Sequence, residues 1–212
     1  MGSNTSTKRM TLDERRKAII IAGAELFFKN GYAGTSIDAI IKKAGGGSKR
    51  NFYTEFGGKE GLFRTLVTEN IALYLSALEA NLQEGRNVRE TLLGMARCIV
   101  DSYSDPLALG LYRIVSMEGP RFPELGEIFL HNALGRVTAH VVRILEQAAE
   151  RSEIPRCEYK VRAELFCNML RSELFFSLVM GLRPPPDKDE MDCFIITVTD
   201  TFLHGILGQQ TL

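Results

Sequence analysis

The sequence predicts an all-α fold: an N-terminal three-helix domain built on a helix-turn-helix, followed by a larger helical domain. Three observations predict it. Apolar residues recur at i, i+3, i+4 and i+7 through most of the chain, and no stretch alternates like a half-buried strand. Capping residues and glycine or proline stops recur at intervals of helix length. The charge is also divided. The 212 residues are formally neutral, with 26 basic and 26 acidic side chains. Residues 1–64, however, hold 12 of the basic and 6 of the acidic ones, a net +6 there against −6 beyond. A positive field confined to one end attracts and steers a polyanion.

At 45% hydrophobic and 25% charged, the composition is that of a globular protein with an ample core. No apolar run approaches the roughly 18 to 20 residues that cross a bilayer. Met1 to Lys17 is polar and basic with no apolar segment, unlike a secretory signal, so the expectation is a cytoplasmic protein with no membrane partner. Cys98, Cys157, Cys167 and Cys193 are scattered without metal-ligand spacing and read as structural thiols of a reducing compartment.

Residues 1–10 read as a disordered basic N-terminus, 11–58 as the helix-turn-helix domain and 59–212 as the second domain. Thr11-Leu12-Asp13-Glu14 has the form of a capping box, and behind it Ile19, Ala22, Gly23, Leu26 and Phe27 share one stripe. Asn30-Gly31 stops that helix. A second box, Thr35-Ser36-Ile37-Asp38, opens a short helix through about Lys43. Gly45-Gly46-Gly47 forces a turn, and Ser48 caps a third helix to about Glu55. Gly57-Gly58 breaks it, and a long helix begins near Lys59 with Leu62, Phe63, Leu66 and Val67 on its apolar face.

Two short helices joined by a glycine turn and braced by longer ones form a helix-turn-helix. The DNA major groove admits one α-helix and shows a distinct donor and acceptor pattern for each base pair. A recognition helix therefore needs one face that packs and one that reads. From Ser48 to Phe56, Phe52 and Phe56 sit at i, i+4 for burial. Lys49, Arg50, Asn51, Tyr53 and Thr54 remain for the other faces.

Ala24-Glu25-Leu26-Phe27, Gly31-Tyr32, Thr35-Ser36-Ile37, Ala44-Gly45-Gly46, Ser48-Lys49, Phe52-Tyr53, Phe56 and Lys59-Glu60-Gly61-Leu62 keep fixed spacing between Arg16 and Leu66. With them, this stretch resembles the DNA-binding domain of the TetR/AcrR family. The resemblance implies an all-helical homodimer of nine or so helices that reads double-stranded operator DNA, with a divergent C-terminal domain for a small-molecule effector; no cofactor is expected. It implies phosphate contacts from Tyr53 and Lys59, helped by Thr35 or Ser36, and base-edge contacts from Lys49, Arg50 and Asn51. The turn Ala44-Gly45-Gly46-Gly47-Ser48 is one residue longer than the usual family spacing. Arg50 stands where the family often has a small residue; an arginine there can fork onto a guanine or grip a phosphate.

Beyond the first domain, the helix from Lys59 is expected to reach about Gln83 and to stop at Glu84-Gly85-Arg86. Asn87 to Tyr103 forms the next helix, and Asp105-Pro106 caps another that ends at Gly119-Pro120. Pro123 starts a helix to about Ser152. Glu118 to Leu125 resembles a segment common in the family's C-terminal domains. One helix from about Glu158 to Gly181 is apolar over much of its circumference, which requires cover on two sides, and a final helix runs to about Leu207. Paired with their symmetry mates, as the resemblance implies, they make a four-helix dimer interface through Phe175, Leu178, Val179, Phe194, Val198 and Phe202.

Small-molecule pockets are largely apolar with a few orienting polar groups. The candidates are Met95, Tyr103, Tyr112, Arg113, Phe122, Phe129, Phe166 and Met169, with His131, Asn168 and Arg171 as further polar groups. Enzymatic chemistry has no foothold. His131, His140 and His204 form no local metal motif, and the glycine-rich turn lacks the spacing of a phosphate loop. The expected function is a ligand-responsive DNA-binding regulator, a repressor released from a palindromic operator by an apolar effector. The alternative is a helical protein that sequesters a hydrophobic compound, with vestigial DNA binding.

Overall fold

A computed structural model describes residues 10–81 and 87–207. The expected disordered stretch up to Arg9 and the expected stop at Gln83 to Arg86 lie outside those residues. The described chain is helical, with no strand among the described residues, and divides into two compact units at Leu66/Val67.

The first unit begins with α1 (Leu12–Asn30), started by the capping box: Thr11 N–H donates to Glu14 Oε2 at 2.8 Å and Glu14 N–H to Thr11 Oγ1 at 3.2 Å. Then come α2 (Ile37–Lys43), α3 (Lys49–Phe56) and the start of α4 (Lys59–Asn81). Their core is aromatic. Phe27, Tyr32 and Phe63 pack with centroids 5.4 to 6.3 Å apart, and Ile40, Phe52 and Leu62 are fully buried beside them. Leu62, Phe63 and Leu66 belong to this core, so the division falls inside α4 rather than at the expected 58/59 boundary. Gly61 permits the close approach of α4 to α3. A Cβ there would sit 1.6 Å from the Phe56 carbonyl oxygen.

The second unit contains the rest of α4, then α5 (Val88–Asp101), α6 (Pro106–Glu118), α7 (Pro123–Phe129), α8 (Gly135–Glu150), α9 (Tyr159–Leu170), α10 (Glu173–Val179) and α11 (Lys188–Leu207). Asn87, Asp105 and Asp187 each accept a backbone N–H at 2.9 Å at the start of α5, α6 and α11. α5, α8, α9 and α11 share one core through Leu92, Met95, Leu145, Phe166, Ile195 and Phe202.

Three expected features differ. The helix from Pro123 is interrupted by a π turn, Leu130–Leu134, in which Gly135 N–H reaches the carbonyl of Leu130. The side chains of His131 and Asn132 donate to the carbonyls of Glu127 (2.8 Å) and Ile128 (2.9 Å) and support the widened turn. The single helix expected from Glu158 to Gly181 is two, broken at Arg171–Ser172. Ser172 followed by Glu173 has the residue types of a helix start, a signal that the unbroken apolar periodicity hides. Third, Phe175, Leu178, Val198 and Phe202, expected at a dimer interface, pack into this chain's own core at 3 to 7% exposure. Among the described residues, Val161 and Leu165 of α9, Phe176 of α10 and Ile196 of α11 are exposed.

Candidate nucleic-acid interface and inner cavity

The turn between α2 and α3 exists because three consecutive glycines take positive φ: 89° at Gly45, 96° at Gly46 and 146° at Gly47. Other residues rarely adopt these angles. Gly46 N–H returns to the Ile41 carbonyl at 2.9 Å, closing the end of α2. Ser48 then starts α3, its hydroxyl accepting from Asn51 N–H at 3.2 Å. Phe52 and Phe56 face inward with centroids 5.3 Å apart. Lys49, Arg50, Asn51, Tyr53 and Thr54 all face solvent, and Tyr53 is 52% exposed.

Exposed ion pairs cross between the three helices. Arg16 on α1 meets Glu55 on α3 at 2.9 Å, and Lys43 on α2 meets Glu25 on α1 at 2.6 Å. Lys49 Nζ lies 2.8 Å from Asp38 Oδ2, a hydrogen bond that raises the lysine's pKa. Both partners are mostly exposed, where water screens the attraction, so a phosphate or base edge can compete for Lys49. Arg50 makes no ion pair among the described residues.

Two expected phosphate contacts are engaged inside the unit instead. Thr35 is 2% exposed. Its hydroxyl donates towards the carbonyls of Leu26 (3.0 Å) and Gly31 (2.8 Å), tying the end of α1 to the start of α2. The helix cap, and with it the exposed hydroxyl, is Ser36, which accepts from Ala39 N–H at 3.1 Å. Lys59 Nζ donates to the carbonyls of Tyr32 (2.7 Å) and Thr35 (3.0 Å) and lies 4.4 Å from the Tyr32 ring centroid. Its charge serves the α1–α2 connection.

The second unit encloses a cavity of about 90 Å³. Of the expected pocket residues, Met95, Tyr103, Tyr112 and Phe129 line it. The other four lie elsewhere. Phe166 packs on Phe202 in the core, with centroids 5.0 Å apart. Met169 flanks that core, and Phe122 stacks under Arg121, 5.4 Å from its ring centroid. Arg113 donates to the carbonyls of Val179 (2.7 Å) and Leu178 (2.8 Å), capping α10.

Asn70, Cys98, Cys167, Arg171 and Phe175 also line the cavity. Phe175 stacks 4.6 Å from Tyr103 and 4.8 Å from Tyr112, so it is a wall of this space. The π turn contributes Ala133 and Leu134. Burial pushes the Cys98 and Cys167 thiols up to about 11, which keeps them protonated and apolar in character. A second, open groove between α8 and α9 adjoins the cavity, sharing Leu134, Cys167 and Arg171 with it.

No helix among the described residues is long and apolar enough to cross a membrane. No cluster of three metal-ligating side chains occurs among them either.

Residues 19–66 match the model of the bacterial regulatory proteins of the tetR family. Residues 90–205 match the C-terminal domain of the AefR-like transcriptional repressors. Over 104 residues the chain is 29% identical to the HTH-type transcriptional activator FasR of Mycolicibacterium smegmatis, a match covering 49% of this chain and 45% of that protein. It therefore spans less than half of that relative's length. Among solved structures, a TetR-family regulator from Mesorhizobium loti superposes with a TM-score of 0.77 at 24% identity, covering 93% of this chain and 98% of that one. The flavonoid-responsive regulator FrrA gives a TM-score of 0.73 at 25% identity, covering 93% and 100%.

Proposed function

Because this chain belongs to the TetR family of bacterial transcriptional regulators, we propose that it is a cytoplasmic homodimeric repressor, released from a palindromic operator when a small, largely apolar effector enters the cavity of its second unit. The observation that carries this reading is α3. An eight-residue helix seated on Phe52 and Phe56 presents Lys49, Arg50, Asn51, Tyr53 and Thr54 outward together. That arrangement suits a major groove, and none of the five side chains is buried in the chain's own core.

The mechanism has two states. A dimer holds its two recognition helices about 34 Å apart, one turn of DNA. An effector that binds better to a conformation with another separation shifts the population and weakens operator binding. The connecting helix α4 is suited to carry the change, since its start belongs to the first unit and its Asn70 and Ile71 line the cavity. Repression is our reading of its sign, in line with the AefR-like domain; FasR is an activator. A promoter fusion with and without the gene decides it: expression should rise when the gene is removed.

Operator affinity tests the reading directly. Binding should weaken steeply with salt, because each neutralised phosphate releases counterions. Tyr53→Ala should weaken binding to all sequences alike. Arg50→Ala should relax preference at one base position, at a cost of about 1–3 kcal/mol. Selection from random DNA that returned an unchanged consensus for the Arg50 variant would reassign Arg50 to the phosphates. Salt-insensitive binding would leave only the sequestering role.

A further inference from the structure

Two polar groups in the wall of the inner cavity point to the chemistry of its occupant. Tyr103 is 5% exposed and lines the cavity; its hydroxyl makes no hydrogen bond of 3.5 Å or shorter among the described residues, while the Arg171 guanidinium lies close enough to draw its pKa down against burial. Buried polar atoms are almost always paired. The Tyr103 ring is held by stacking on Phe175, so the position of its oxygen is fixed. Arg171 is the only charged residue among the described residues of the wall. It sits at the break between α9 and α10, where Nη1 donates to the neutral Asn168 Oδ1 at 3.2 Å, and no carboxylate pairs with it among the described residues.

Asn70 and Ser102 of the wall are engaged by structural partners. Asn70 donates to Asp105 Oδ2 at 2.9 Å and Ser102 to the Ile99 carbonyl at 2.6 Å. Burial pushes the Tyr103 phenol up against the opposing charge of Arg171, so at neutral pH it remains a donor. Around these two groups the surface is apolar or aromatic, chiefly Met95, Leu109, Tyr112, Phe129 and Phe175. The adjoining groove carries Arg136, His140, Arg143 and Lys160 against Glu164, a positive surround that attracts anions.

We propose that the effector is an organic acid whose apolar body fills the cavity and whose carboxylate is held between the Tyr103 hydroxyl and the Arg171 guanidinium. This rests on reading the cavity as the effector site. Both groups are donors and one is cationic. A carboxylate accepts from both and supplies the missing countercharge, whereas an alcohol supplies no charge and a cation is repelled.

Calorimetric titration of the full chain at pH 7.5 with two matched pairs short enough for a space of about 90 Å³, propionate against 1-propanol and butyrate against 1-butanol, tests it. In at least one pair the acid should bind about 10-fold or more tightly than the alcohol. Tyr103→Phe removes an unpaired hydroxyl and should fold normally. It should weaken acid binding about 5-fold and leave the alcohol unchanged. Arg171→Gln should abolish the preference. Equal affinities within both pairs, no binding of any probe, or a preference that survives Arg171→Gln would overturn the proposal. Operator release is measured in parallel. Acids that bind with the expected preference yet leave DNA bound would sink the effector reading while keeping the acid site. Alcohols that bind equally and release DNA would do the reverse.

Discussion

Thr35 turns its hydroxyl onto the carbonyls of Leu26 and Gly31, so its removal leaves buried acceptors short of a partner. Thr35→Ala should lower the stability of the first unit by about 1–3 kcal/mol, read by urea unfolding. The salt dependence of DNA binding by the folded fraction should stay unchanged. A variant of normal stability with a shallower salt slope would instead make Thr35 a phosphate ligand. Its neighbour Ser36 shows why the distinction was hidden in the sequence. Two adjacent hydroxyl residues before a helix are equivalent in a capping pattern, and only the backbone path decides which one faces the interior. Lys59 is a related case. A lysine's long stem reaches several partners, and two carbonyls at the α1–α2 connection outcompete solvent for its ammonium. The outward set on α3 was legible because Phe52 and Phe56 fix the helix's phase, and every other residue of the helix is then assigned a direction.

Helix starts were the most legible elements, since each cap is a local contract between a side chain and the backbone N–H groups just after it. Interruptions inside helices were not. The π turn and the break at Arg171 leave the apolar periodicity nearly intact, and both depend on packing from other helices. Helix ends offer two sharp tests. Ser152 has φ 60° at the end of α8, the only non-glycine residue with positive φ among the described residues. Glu153 N–H returns to the Ala148 carbonyl there at 2.9 Å, a closing turn that favours glycine. Ser152→Gly should therefore stabilise the second unit by about 0.5–1 kcal/mol, seen as a raised melting temperature. At the other extreme, Gly61→Ala places a methyl group 1.6 Å from the Phe56 oxygen. It should abolish the cooperative unfolding of the first unit and DNA binding, while circular dichroism retains the signal of the second.

At the scale of the whole molecule, the charge division was legible from composition alone, because it is a count that folding does not alter. The partner-facing surface was not. Periodicity shows that α9 to α11 are apolar on more than one face, but the core claims whichever residues it reaches first, here Phe175, Leu178, Val198 and Phe202. Val161, Leu165 and Ile196 remain 45 to 50% exposed, and these are the residues we propose for the contact between copies. The double variant Leu165→Glu, Ile196→Glu should be monomeric by light scattering and should bind a full operator at least about 100-fold more weakly, since one recognition helix is then left to hold the site. A dimer that persists in this variant would move the interface to another face.

The π turn at Leu130–Leu134 also bears on how sensing diverges. A turn of this kind holds one residue more than the α turn it replaces, which rotates the preceding stretch by roughly 100° against an unbroken helix. An in-frame loss of one codon there would leave α8 seated in its core while swinging Phe129 away from the cavity wall. A single small deletion thus offers descendants of this gene a route to a new range of signals, with the DNA-reading half untouched.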